Sequence, residues 1–186
     1  MAKKPKLGQN FLVNPGAAVR IADALGDISD QTVVEVGAGR GAITQHLAPR
    51  ARRLVAVELD PDLAAELRVT FSDKPSVEIV QRDILTLELS TLLSVPGEKL
   101  MVIGNLPYYI TSDILLRLFQ QAGILSRVVL MVQREVADRV AANPGTRDYG
   151  LLSTTAQLYA RVDKLFTLPP DAFAPPPDVY STVFRM

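Results

Sequence analysis

Thr32-Val33-Val34-Glu35-Val36-Gly37-Ala38-Gly39-Arg40-Gly41 reads as an apolar strand running straight into a turn with glycine at alternate positions. Glycine there lets the main chain turn sharply and lets a ligand approach it closely. Glycine spacing alone suits any tight strand-to-helix turn. Its place directly after the first buried strand makes it a candidate binding loop.

The same alternation continues in both directions. Asn14-Pro15 starts a helix that Gly26 stops. Ile43 to Leu47 is a short helix, and Leu54 to Val57 a second strand ending at Glu58. Asp60-Pro61 caps a helix running to about Phe71. Val77 to Val80 and Leu100 to Ile103 are the third and fourth strands. Thr111-Ser112-Asp113 opens an amphipathic helix through Leu115, Leu116, Leu118 and Phe119. Val128 to Val132 is the fifth strand, followed by a helix from Arg134 to about Ala142 and another over Leu151 to Ala160. Val162 to Leu168 and Tyr180 to Phe184 are strand candidates. Between them, the Pro-rich stretch Pro169 to Pro177 is a loop and not a domain linker. Regular alternation of strand and helix predicts an α/β domain with a mostly parallel sheet of seven strands and helices on both faces. In such sheets ligands bind beyond the carboxyl ends of the strands, where strand order reverses.

Composition narrows the function. The 186 residues are 48% hydrophobic and 22% charged, which fits one globular domain with a buried core. No apolar run is long enough to span a bilayer, and the N-terminus lacks the apolar stretch of a signal peptide, so a cytoplasmic location is expected. With no cysteine, disulfides, thiolate metal sites and cysteine nucleophiles are all excluded. The single histidine, His46, reads as a helix-surface residue, and the acidic residues show no ligand spacing, so no metal is expected. Net charge is zero, unlike most nucleic-acid binders. The arm Lys3-Lys4-Pro5-Lys6 is a candidate basic patch, although on charge alone a solvated terminus is the simpler reading.

The strand ends carry the candidate chemistry. Glu58, ending the second strand, can accept both ribose hydroxyls of a nucleoside. Asp83, after the third, can accept from an adenine amino group. A dinucleotide-binding dehydrogenase would share these features. Its Gly-x-Gly-x-x-Gly spacing, however, differs from the Gly-x-Gly-x-Gly found here. A carboxylate at Glu35 would also favour a cationic sulfonium or ammonium over a pyrophosphate.

Gly104-Asn105-Leu106-Pro107-Tyr108, ending the fourth strand, is the most informative segment. An exocyclic amine on a base is a poor nucleophile because its lone pair is delocalised into the ring. Acceptors on its two hydrogens favour a tetrahedral nitrogen and free the pair. The Asn105 side-chain oxygen and the Leu106 carbonyl can be those acceptors. Pro107, with fixed φ and no N–H, helps aim that carbonyl outward. Tyr108 offers a face for the base. Phe173, in a stiff proline loop, is a candidate second stacking wall; a core phenylalanine is the plain alternative.

Together these segments resemble the ribosomal RNA adenine N6,N6-dimethyltransferases, and within them the bacterial small-subunit type. The resemblance runs from Gly8-Gln9-Asn10-Phe11-Leu12 to the end of the chain. It includes Gln133-Arg134-Glu135-Val136, Tyr149-Gly150-x-Leu152-Ser153 and Phe173 to Ser181. It implies a Rossmann-like S-adenosylmethionine-dependent methyltransferase fold. It also implies conversion of two adjacent adenosines near the 3' end of small-subunit (16S) ribosomal RNA to N6,N6-dimethyladenosine. The partner implied is ribosomal RNA in the small subunit or its precursor, met by a monomer. By resemblance, Asn10, Leu12, Gly37, Gly39, Glu58, Asp83 and Asn105 bind S-adenosylmethionine. Asn105, Leu106, Tyr108 and Phe173 hold the target base. Members of the family continue into a small helical C-terminal domain, so residues 1–186 are expected to be the catalytic domain alone. Two alternatives stand: a large-subunit (23S) RNA dimethyltransferase of the macrolide-resistance type, and a cofactor-binding ribosome-assembly module with little activity.

Overall fold

A computed structural model of the chain describes residues 10–186, so the Lys3 to Lys6 arm, Gly8 and Gln9 lie outside the described residues. Two helices start where the sequence supplies a capping side chain. The Asn14 side chain accepts from Ala17 N at 2.9 Å, and α1 follows over Pro15–Asp23 with proline at its first turn. Asp60 caps α3 (Pro61–Thr70) in the same manner, accepting from Asp62 N at 2.9 Å. Between them lie β2 (Thr32–Val36), α2 (Thr44–Leu47) and β3 (Arg53–Glu58), all following the two-residue β1 (Phe11–Leu12). The chain continues as β4 (Val77–Gln81), β5 (Leu100–Asn105), α4 (Thr111–Gln120), β6 (Leu125–Gln133), α5 (Arg134–Val140) and α6 (Leu151–Tyr159). It ends with β7 (Asp163–Leu168), β8 (Phe173–Ala174) and β9 (Ser181–Arg185).

Seven strands form one sheet in the order β4-β3-β2-β5-β6-β9-β7. The pairs from β4 through to β6 are parallel, while β9 runs antiparallel to both β6 and β7. No crossover helix separates β7 from β9, and strands joined without one become antiparallel neighbours. Alternate residues supply two cores. Val33, Leu54, Met101 and Ile103 pack with Ile21, Leu25 and Leu47 on one face. Val34, Val55, Val102 and Leu130 pack with Ile114, Leu118 and Val140 on the other. All five residues of β2 are buried, as a strand covered on both faces requires. Each such Val, Leu or Ile contributes roughly 1.5–3 kcal/mol by leaving water.

Four details depart from the sequence reading. α5 stops at Val140, short of Ala142, because the chain then turns through Asn143-Pro144-Gly145. The last strand is shifted by one residue, to Ser181–Arg185. The proline-rich stretch is not wholly loop: β8 lies inside it and pairs antiparallel with β1, Leu12 opposite Phe173. His46 is half-buried on α2, not freely exposed, and its Nε2 has no hydrogen-bond partner among the described residues.

Candidate active site

From β2 the chain winds outward to β3 and β4, then returns to place β5 on the other side of β2. Strand order therefore reverses between β2 and β5, and their carboxyl ends frame a crevice. The loop after β2 is stitched to the end of β3. Gly37 N donates to the Val57 carbonyl at 2.9 Å, and Gly39 N to Glu58 Oε2 at 2.8 Å. Gly37 and Gly39 have φ of 69° and 57°, a left-handed conformation that side-chain-bearing residues rarely adopt.

Glu58 is buried, and Asp60 N donates to its other oxygen, Oε1, at 2.9 Å. Each carboxylate oxygen thus accepts one main-chain hydrogen bond and keeps capacity for another. Asp83 Oδ1 accepts from Leu85 N at 2.9 Å, and its second oxygen has no partner among the described residues.

Glu35 departs from expectation. It is fully buried beneath the glycine loop, where burial, helped by the nearby Glu58, pushes its carboxyl up to about 8. A hydrogen bond from Thr44 Oγ1 at 2.6 Å opposes that rise and ties the strand end to α2. At pH 7 the group is mainly neutral, so the charge argument for a cationic ligand loses its basis. The argument from glycine spacing and Glu58 does not depend on it.

The crevice is a cleft of about 790 Å³, open solvent at its mouth included, lined by Asn10, Gly37, Gly39, Glu58, Asp83 and Asn105 among others. A volume of that order suits a small-molecule ligand. Leu59 and Ile84 add apolar walls that the sequence reading did not name; both follow strand-end carboxylates directly. A smaller neighbouring cavity shares Phe11, Gly37, Gly39 and Asn105 with the cleft and takes in Leu12 and Glu35. Phe173 lines neither: at 3% exposure it sits in the core beneath β1. Its two-residue pairing with β1 had no local sequence signal.

At the end of β5, Gly104 is required by close approach, since a Cβ there would lie 2.6 Å from the Val36 carbonyl. Asn105 Nδ2 donates to the Asn10 carbonyl at 3.1 Å, which leaves Oδ1 as an acceptor. Leu106 N donates to the Met131 carbonyl at 3.0 Å, fixing the peptide. Nothing among the described residues donates to the Leu106 carbonyl itself. The Pro107 carbonyl, in contrast, is taken by Thr111 Oγ1 at 2.9 Å. Tyr108 is half-buried with its hydroxyl 2.8 Å from Ser181 Oγ, and burial pushes its phenol up, so it is neutral. Among the described residues, no group of three or more His, Cys, Asp or Glu side chains could hold a metal, and no helix is long and apolar enough to cross a membrane.

A family model described as "Ribosomal RNA adenine dimethylase" matches residues 1–186. The chain belongs to that family. Two relatives in it are named "Ribosomal RNA small subunit methyltransferase A". The one from Koribacter versatilis is 60% identical over 100% of this chain and 69% of its own length. The one from Acidobacterium capsulatum is 61% identical over 98% of this chain and 64% of its own. The chain thus spans about two thirds of these relatives. Among solved structures, the 23S rRNA methyltransferase ErmE matches with a TM-score of 0.81 at 31% identity, over 95% of this chain and 68% of that one. A dimethyladenosine transferase from Plasmodium falciparum matches with a TM-score of 0.82 at 28% identity, over 94% and 62%. The dimethylase family's methyltransferase fold, α/β with a mostly parallel seven-stranded sheet, is the fold found here.

Proposed function

We propose that this dimethylase binds S-adenosylmethionine in the cleft and methylates N6 of two adjacent adenosines near the 3' end of small-subunit ribosomal RNA. The observation that carries the chemistry is the pair of free acceptors, Asn105 Oδ1 and the Leu106 carbonyl, beside a nucleoside-sized cleft with two carboxylates. Identity of 60% and 61% with small-subunit enzymes, against 31% with a 23S enzyme, favours the small-subunit target.

The cleft fits the cofactor on its own chemistry. Glu58 can accept from two ribose hydroxyls because each of its oxygens has spare capacity. Asp83 can accept from the adenine amino group through its unpartnered oxygen. Asn10, Leu12, Gly37 and Gly39 surround the junction with the smaller cavity, which suits the amino-acid portion. When bound, S-adenosylmethionine supplies a methyl group activated on a sulfonium.

The chain's own residues prepare the acceptor. In the first transfer Asn105 Oδ1 and the Leu106 carbonyl take the two N6 hydrogens of the target adenine, and in the second one of them takes the hydrogen that remains; this turns the nitrogen towards a tetrahedral geometry and frees its lone pair. Both groups are held before substrate arrives, one by Asn10 and one by Met131, so little reorganisation opposes the transition state. Tyr108, neutral and anchored on Ser181, gives the base an aromatic face. No strong general base is needed: the methylated amine loses its proton to solvent. Phe173 would have to leave the core to stack on the base, so the wall opposite Tyr108 forms only with a change at β8.

Parallel methylation of under-methylated small subunits, large-subunit RNA and free RNA, with modified positions mapped, tests the reading. Two adjacent N6,N6-dimethyladenosines in small-subunit RNA are expected. Modification of large-subunit RNA instead would replace it with the 23S reading.

A further inference from the structure

Ser181, the anchor of Tyr108, is the first residue of β9 and pairs with Gln133 at the end of β6. The residues that flank this pair, Tyr180 and Arg134, therefore emerge at the same edge of the sheet as Asn105 to Tyr108. Their main chains are joined by the hydrogen bond from Arg134 N to the Tyr180 carbonyl, at 2.9 Å. Their side chains meet as well, with the guanidinium carbon 5.4 Å from the centroid of the tyrosine ring.

Neither side chain has an evident structural duty. Tyr180 is 47% exposed and belongs to neither core. Arg134 is exposed and has no carboxylate partner among the described residues. An unpaired guanidinium against an exposed aromatic, at the rim of a base-binding site, combines the two elements that hold single-stranded nucleic acid. The net charge of zero makes a local cation of this kind more telling, since no general positive field attracts the RNA.

We propose that Tyr180 and Arg134 form a second recognition element for the RNA, with the Tyr180 ring stacking on a base next to the target adenosine and Arg134 neutralising the adjoining phosphate. The proposal rests on the cleft being the site of an RNA adenosine. It assigns the pair to binding the strand and not to methyl transfer.

The test uses the full chain and a fluorescein-labelled single-stranded RNA oligonucleotide with two adjacent adenosines, followed by anisotropy. Tyr180→Ala should weaken RNA binding about tenfold, the lower part of the range for removing one base–aromatic stack. Tyr180→Phe keeps the ring and should bind like wild type. Arg134→Gln should lower the slope of log affinity against log salt by about 1, as loss of one phosphate contact does. S-adenosylmethionine affinity should be unchanged in all three variants. Unchanged RNA affinity in Tyr180→Ala overturns the proposal, as does an equal loss in Tyr180→Phe. A fall in turnover at saturating RNA without a change in affinity also overturns it, because the residue would then act through Ser181 and Tyr108. A wild-type chain that binds the oligonucleotide but methylates no subunit would remove the functional reading while leaving the stacking pair to be judged by these variants.

Discussion

On the glycine-loop side of the cleft, the carboxylates are already anchored. Both Glu58 oxygens accept main-chain N–H groups, and Glu35 is buried and held by Thr44. On the β5 side, the Leu106 carbonyl and Asn105 Oδ1 lack donors, and Tyr109 is 57% exposed at the mouth. The first side has the order of a finished binding site. The second has rigid supports and unsatisfied faces, the arrangement expected where a substrate supplies the missing partners. Affinity for the cofactor and rate of transfer should therefore separate on mutation, each following its own side of the cleft.

Asn105→Ala gives the sharpest separation. It removes one prearranged acceptor and should lower turnover roughly 10²- to 10³-fold. Its other loss among the described residues, the hydrogen bond to the Asn10 carbonyl, should cost cofactor binding about 1 kcal/mol. Steady-state kinetics at saturating cofactor and RNA, beside calorimetry, read both effects; near wild-type turnover would remove the assigned role. Gly104→Ala attacks the shared floor instead. The added Cβ meets the Val36 carbonyl in the middle of the sheet, so unfolding free energy should fall by about 1–3 kcal/mol or more, measured by denaturant titration.

Glu58→Ala should act on the finished side alone, weakening S-adenosylmethionine binding by about 1.5–3 kcal/mol for each hydrogen bond to the carboxylate. Turnover at saturating cofactor should change much less. The last effect concerns pH and stability, not cofactor or turnover. The folded Glu35 carboxyl titrates near 8, above its ordinary 4.5, so the folded state holds an extra proton between those values. Stability is then greatest below about 4.5 for this group and declines as pH rises through 8. Glu35→Gln should flatten that decline in thermal melts, and an unaltered pH profile would show the carboxyl to be ionised in the fold.

The two sides also differ in how well the sequence announces them. Gly37, Gly39, Glu58 and Asp83 were legible because residue type and strand-end position together specify a ligand site, and the cleft brings them together. Asn105 to Tyr108 are legible as a strand-end segment, which the structure brings to the cleft with Asn105 Oδ1 free; their role towards a base amine is the proposal above. Glu35 was misread because its charge depends on burial, which a strand pattern does not quantify. Phe173 was placed in the site, yet its burial follows from pairing with Leu12 across more than half the chain, a contact with no local signature. The antiparallel β9 was likewise hidden, since strand alternation says little about direction once the helices stop.

Titration calorimetry of S-adenosylmethionine and NAD against the wild-type chain and Glu58→Ala tests most directly that the cleft at the ends of β2 to β5 is a methyl-donor site. One S-adenosylmethionine should bind per chain, more weakly in Glu58→Ala, and NAD should give no binding heat. Binding of NAD alone, or S-adenosylmethionine binding that ignores Glu58, would contradict the account.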